Sequence, residues 1–260
     1  ILGARVGLYD AATVRVNATG NLAVMVGAHS HGQGHETAFP QVVAEMLGID
    51  PMSIEIVHGD TAKIPFGMGT YGSRSLAVCG SAVVRATEKI IVKAKKIAAH
   101  MLAAADTEIE LRDGQFSVAG TNKSVSFGEV ALKAYIPHQF PIEEIEPGLE
   151  ETAFYDPANF TYPSGAYACE VELDPKTGKV TIERFAAADD FGNIINPMIV
   201  TGQVHGGIGQ GIGQALIEQT AYDENGQLLS ASYMDYEMPR ADALPFYQVN
   251  HDDGTPCTHN

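Results

Sequence analysis

Residues 27–50 read GAHSHGQGHETAFPQVVAEMLGID, a glycine- and histidine-rich loop running straight into an amphipathic helix. Phe39, Val42, Val43, Met46 and Leu47 recur at i, i+3, i+4, i+7 and i+8, which predicts a helix. Pro40 is tolerated in its first turn and Gly48 is its stop. Just upstream, TVRVN (13–17) and LAVMVGA (22–28) alternate as a half-buried hairpin does, around the turn ATGN. Just downstream, SIEIVHGD (53–60) reads as a short buried strand that leads into a glycine-rich loop, PFGMGTYGSRS (65–75). The order strand, strand, polar loop, helix, strand predicts an α+β lobe.

A long helix follows over about residues 78–105. Val83, Ala86, Ile90, Ala94, Ile97, Met101 and Leu102 line its apolar stripe, and Arg85, Lys89, Lys93, Lys95 and Lys96 form a solvated side. A small hairpin turns at RDGQ between residues 108 and 118, and the Pro- and Glu-rich stretch 137–163 is the expected linker. Beyond it AYACEVEL (166–173) and KVTIERF (179–185) flank DPKTG as a second hairpin, and VTGQVHGGIGQGIGQALIEQ (200–219) opens a second helix. The pattern strand, strand, Gly-Gln, helix thus occurs twice. The expectation is an elongated α+β fold of two related lobes with mixed sheets and helices, residues 1–136 and 164–260, separated by 137–163.

The 260 residues are 45% hydrophobic and 18% charged, ordinary for a globular protein, with a formal charge of −16. That balance argues against a nucleic-acid partner, since binding by counterion release needs a basic face. No run of about 18 apolar residues is present, so no transmembrane helix is expected. Cys79, Cys169 and Cys257 form no CxxC, and neither a zinc ribbon nor a disulfide framework is indicated. The first residue is Ile1 and the last four are CTHN, which reads as a fragment at both ends.

Chemistry narrows further by elimination. His31 and His35 stand four apart, but HExxH would need histidine where Phe39 stands. Gly67, Gly69 and Gly72 satisfy GxGxxG, yet no acid follows about twenty positions on and Pro65 and Phe66 intervene after the strand. Neither a GxSxG elbow nor a P-loop occurs. What remains are Gly32-Gln33-Gly34 and Gly202-Gln203, both expected at helix starts, where unpaired N–H groups and the helix dipole favour an anion. GTYGSRS adds backbone donors and the Ser73 and Ser75 hydroxyls. Three such loops facing a shared crevice would hold a large anionic cofactor.

Read in order, GQGHET (32–37), FGMGTYGSRS (66–75), EPGLE (146–150), DPANFTYPSGA (156–166) and NPMIVTGQVHGGIGQGIGQAL (196–216) carry a resemblance over nearly the whole chain. It resembles the molybdenum-cofactor subunit of the xanthine dehydrogenase family, and within it the large subunits of aerobic carbon monoxide dehydrogenases and their relatives. The resemblance implies a molybdenum-molybdopterin cofactor in its cytosine dinucleotide form. It implies that His31, Gly32, Gln33, Gly34 and His35 lie against the pterin and phosphates. It makes Gly72, Ser73, Arg74 and Ser75 a second phosphate loop, with Arg74 as charge partner, and puts Gln203 near the metal's oxo ligands as its catalytic contribution. No side chain ligates the metal directly. His29 is expected to be a structural or surface residue, His205 to pack nearby, and Asp189 and Asp190 to be turn residues near a strand end.

The implied reaction is oxidation of a small molecule, carbon monoxide-like, aldehyde or N-heterocycle, with water-derived oxygen. Electrons leave to an iron-sulfur subunit and an FAD-binding subunit in a dimer of heterotrimers, in the cytoplasm or at the inner face of the membrane. The family's general-base glutamate sits in a GxGE-like loop expected after Asn260, and its substrate loop is expected before Ile1. A copper-binding cysteine belongs to that upstream loop, whereas Cys79 falls inside a helix as a buried small side chain. The alternatives are a non-catalytic or split cofactor-binding scaffold and, further behind, a dinucleotide site at Gly67–Gly72.

Overall fold

A computed structural model describes residues 8–251, 254 and 255. The chain divides after Tyr162 into two compact units. In the first, β1 (Asp10–Val16) and β2 (Leu22–Val26) form the expected antiparallel hairpin, with Val14 opposite Val24. Helix α1 (His35–Leu47) crosses to β3 (Ile54–Val57), which pairs parallel to β2. Gly34 (φ 72°) opens α1 and Gly48 (φ 68°) closes it, both in the left-handed region where a side chain is disfavoured.

Helix α2 (Ser81–Leu102) follows a π-helical turn at Ser75–Gly80, so the regular helix begins three residues later than the sequence suggested. It ends where Ala103 turns left-handed. A three-stranded sheet of β4 (Ile109–Arg112), β5 (Gln115–Val118) and β6 (Ser124–Ser126) leads to α3 (Phe127–Lys133), capped reciprocally by Ser126 and Glu129.

The stretch expected to be a linker carries β7 (Glu150–Tyr155), which pairs antiparallel with β1 and completes the order β3-β2-β1-β7. Its Pro and Glu content concealed the strand because it is an edge strand, where only one side of the ladder must be apolar and paired. The core of this unit joins Val14, Val16, Val24 and Val26 to Phe39, Val43 and Leu47 of α1 and to Val83, Ile90 and Ile97 of α2, all fully buried. Each such side chain contributes about 1.5–3 kcal/mol by leaving water.

In the second unit β8 (Ser164–Leu173) and β9 (Val180–Asp190) form a hairpin, α4 (Pro197–Ile212) crosses over, and β10 (Tyr247–His251) pairs parallel to β9. The sheet order β10-β9-β8 repeats β3-β2-β1 of the first unit, with a helix between its second and third strands. The two lobes are thus related in topology, hairpin then crossover to a parallel strand. This second core is small, built from Ala187, Val204, Ile208 and Ile212, and β8 is exposed from end to end. Tyr167, Val171 and Leu173 are exposed apolar side chains on it. Among the described residues no helix is long and apolar enough to cross a membrane.

Candidate cofactor site

Two loops of the first unit meet back to back. A Cβ added to Gly27 would fall 2.3 Å from the Gly67 Cα, and one added to Gly67 would fall as close to Gly27. Only glycine permits that approach, and it brings the 27–34 loop beside the 66–74 loop. At Gly32 (φ 114°) and Gly69 (φ 82°) an added Cβ would meet nothing within 4 Å, so each backbone faces open space. Gly72 (φ 58°) and Ser73 (φ 57°) are also left-handed, which turns the second loop sharply before Arg74.

Around Gly32 the side chains hold one another. The His31 amide donates to Gln33 Oε1 at 2.8 Å, and Gln33 Nε2 lies 3.0 Å from His31 Nε2. His35 is buried, stacked on Phe39 with ring centroids 5.1 Å apart, and its Nδ1 is buried without a partner. Burial pushes its pKa below the ordinary histidine value, and the charges of His58, His31 and His29 act in the same direction against Glu36. His58, which the sequence reading did not single out, places Nε2 2.9 Å from Glu36 Oε1 and packs edge-on against His29, 4.7 Å between centroids. His29 is exposed, as expected of a structural or surface residue.

Arg74 departs from its expected role. Its guanidinium is fully buried and turned into the protein, 2.7 Å from Asp10 Oδ2, and it donates to the carbonyls of Leu8 (2.6 Å) and Gly69 (3.1 Å). A buried arginine matched to a buried carboxylate is a brace for the loop, with its charge already neutralised, and is not a free phosphate partner. Burial raises the Asp10 carboxyl pKa, and the Arg74 hydrogen bond and charge oppose that rise. Ser75 is likewise buried and donates to Thr70 Oγ1 at 3.0 Å. The partner of Arg74 lies 64 positions away at the start of β1, and no local signal in the sequence announces it.

Cys79 is fully buried and its thiol is pushed up to about 12, first by desolvation and then by the charge of Asp10. That agrees with a packed small side chain.

Gln203 lies in the second unit and not at a helix start. Asn196 caps α4, accepting the Ile199 N–H at 3.0 Å, and Pro197 takes the first position, so Gln203 falls at the end of the second turn. Val204, Ile208 and Ile212 face the core while Gln203, Gly206, Gly207 and Gln210 are exposed. At Gly202, Gly206, Gly207 and Gly211 an added Cβ would meet nothing, so this face offers bare helix backbone beside a neutral amide. His205 packs edge-on against Tyr247, 5.3 Å between centroids, which is a packing role. Asp189 and Asp190 are the last residues of β9 and not turn residues.

Open glycine backbone, neutral amide and hydroxyl donors and an internally neutralised arginine suit a large anionic ligand bound through N–H groups. The first unit's two loops have that character, and the α4 face offers the exposed Gln203 side chain. Among the described residues no group of three or more His, Cys, Asp or Glu is placed to hold a metal ion.

Comparison with known proteins identifies the family. The profile of the molybdopterin cofactor-binding domain matches residues 2–245. The chain is 42% identical over its full length to the carbon monoxide dehydrogenase large chain of Hydrogenophaga pseudoflava, and 41% identical over 96% of its length to the nicotine 6-hydroxylase large subunit of Paenarthrobacter nicotinovorans. It spans 32% and 31% of those two proteins. Among solved structures, a Cu,Mo carbon monoxide dehydrogenase superposes with a TM-score of 0.88 at 41% identity over 98% of this chain and 32% of its own. Quinoline 2-oxidoreductase of Pseudomonas putida 86 gives 0.86 at 38% identity over 96% of this chain and 32% of its own. The chain therefore belongs to the molybdopterin cofactor-binding domain family of xanthine dehydrogenase-type large subunits.

Proposed function

We propose that this chain is the molybdopterin-binding portion of a molybdenum hydroxylase large subunit that oxidises a small molecule with water-derived oxygen. The observation that carries the reading is the Gly27–Gly67 contact, which sets two open glycine loops side by side in a chain of this family. When bound, the cofactor supplies the oxygen transfer and the two-electron redox chemistry.

The chain's own residues bind and orient. The amides of Gly32, Gly34 and Gly72, the Gln33 amide, His31 and the Ser73 hydroxyl hold pterin and phosphate oxygens, in a cytosine dinucleotide form. His35, buried with a free Nδ1, sits at the first turn of α1 as a neutral partner to the same group. Arg74 and Ser75 act through Asp10 and Thr70, fixing the loop rather than touching the ligand. Gln203 offers an amide that donates to an oxo group without altering its charge. Iron-sulfur and FAD-binding subunits take the electrons, in a dimer of heterotrimers located in the cytoplasm or at the membrane's inner face.

The test is metal and pterin content of the natural full-length protein, purified with its co-eluting partners, by elemental analysis and pterin fluorescence. Stoichiometric molybdenum with pterin is expected. Cofactor-free protein from a host that makes the cofactor would instead identify a scaffold chain.

A further inference from the structure

At one end of the second unit's sheet the last residues of β9 and β10 meet the first of β8. Ser164 pairs with Asp190, Gly165 with Asp189, and Asn250 with Ala188. Ser164, Ala188, Asp189, Asp190 and Asn250 border a recess of about 380 Å³ together with Gly254 and Thr255. Asp189 lines it, is 8% exposed, and takes the Tyr167 hydroxyl on Oδ1 at 2.5 Å, while its Oδ2 is buried and has no partner. Asp190 accepts the Gly192 and Thr255 amides, both at 3.0 Å on Oδ1, and the Thr255 amide again on Oδ2 at 3.1 Å.

Two glycines make room for these carboxylates. A Cβ on Gly165 would lie 2.2 Å from Asp189 Oδ1, and one on Gly254 would lie 1.8 Å from Asp190 Oδ1. Among the described residues no lysine or arginine lines the recess and no ion pair reaches either aspartate. His251, beside Asp189 on the parallel strand, places Nε2 2.8 Å from Thr201 Oγ1. A carboxylate oxygen shut away from water with neither a donor nor a countercharge is unfavourable, and a bound cation removes that penalty.

We infer that this recess is a binding site for a hard divalent cation, calcium by preference, with Asp189 Oδ2 as its anchoring ligand. The remaining donors on offer are the Ser164 hydroxyl, the Asn250 amide and the second face of the Asp190 carboxylate. All are oxygens, the ligand set that calcium accepts in flexible geometry and that thiophilic metals do not seek. The site lies wholly within the second unit and does not depend on the molybdopterin reading.

Terbium luminescence tests it directly, because the chain has no tryptophan and tyrosine is the sensitiser. Tyr167, bonded to the anchoring carboxylate, is the tyrosine placed to transfer energy. With the purified chain, tyrosine-excited terbium emission is expected to rise saturably and to be displaced by calcium, with a dissociation constant of about 10⁻⁴–10⁻³ M for so few charged ligands. Asp189→Asn is expected to weaken binding about tenfold or more, and Tyr167→Phe to remove most of the emission. Emission that does not saturate, that ignores Asp189→Asn, or that survives Tyr167→Phe unchanged overturns the site. Should Asp189→Asn fail to fold, the unmodified chain decides by its melting temperature, which calcium raises if the inference holds and leaves in place, at matched ionic strength, if it fails.

Discussion

Asp10 at the start of β1 and Arg74 at the end of the glycine loop form an ion pair of 2.7 Å with both side chains wholly out of water. The pair ties the loop to the central sheet, since the same guanidinium also holds the carbonyls of Leu8 and Gly69. Breaking it from one side strands a buried charge. Asp10→Asn or Arg74→Met is therefore expected to lower unfolding stability by about 3–5 kcal/mol. Replacing both together is expected to lose less than the sum of the two, which a double-mutant cycle by urea unfolding measures. Strict additivity would show that the two residues act independently.

The same pair shows where sequence reading stops. The family motif around Arg74 was legible, and so were the α1 stripe, both hairpins and the two-lobe repeat, because periodicity and turn residues are local. The direction of the Arg74 side chain was not, since it depends on a partner in another strand. Gln203 lies away from the expected helix start for a different reason. The Gly- and Gln-rich run after residue 200 looks like a loop, whereas the start signal of α4, Asn196 followed by Pro197, lies upstream of it. β7 hid behind the proline and glutamate of its surroundings, as an edge strand can.

His35 gives the first unit a pH dependence of fixed sign. Its folded pKa is held below the ordinary 6.5, chiefly by desolvation, so the unfolded chain takes up a proton more readily than the folded one. Stability should be fully present above about pH 6.5 and fall as the pH drops below it, by at most about 1.4 kcal/mol per unit for this one group, until the folded pKa is passed. His35→Gln should flatten that slope in melting curves taken from pH 8 to about pH 5. Parallel slopes in the two proteins would remove His35 as the cause.

The cysteines should separate cleanly by reactivity. Cys79 is sealed in the core with its thiol pushed up to about 12, whereas Cys169 is exposed on β8. Only a thiolate alkylates at a useful rate. Iodoacetamide at mildly alkaline pH should label Cys169 in the native chain and reach Cys79 only after unfolding, as peptide mass spectrometry reads. Native labelling of Cys79 would mean that the region around Asp10 and the π-helical turn opens. Cys257 lies outside the described residues.

Gln203 sits on a helix face that its own unit leaves exposed, between Gly202 and the buried Val204. The side chain is exposed, so Gln203→Ala is expected to change unfolding stability by no more than about 1.5 kcal/mol, the scale of one hydrogen bond. If its amide serves the cofactor's oxo ligands, the molybdenum-loaded full-length enzyme should lose activity by about a hundredfold, the scale of removing one preorganised donor. Gln210→Ala, two turns on along the same exposed face, is the control for a helix that merely tolerates alanine badly. Equal losses of activity and stability in Gln203→Ala would return Gln203 to the scaffold. A loss of activity shared equally by Gln210→Ala would point to the α4 surface as a whole rather than to one amide.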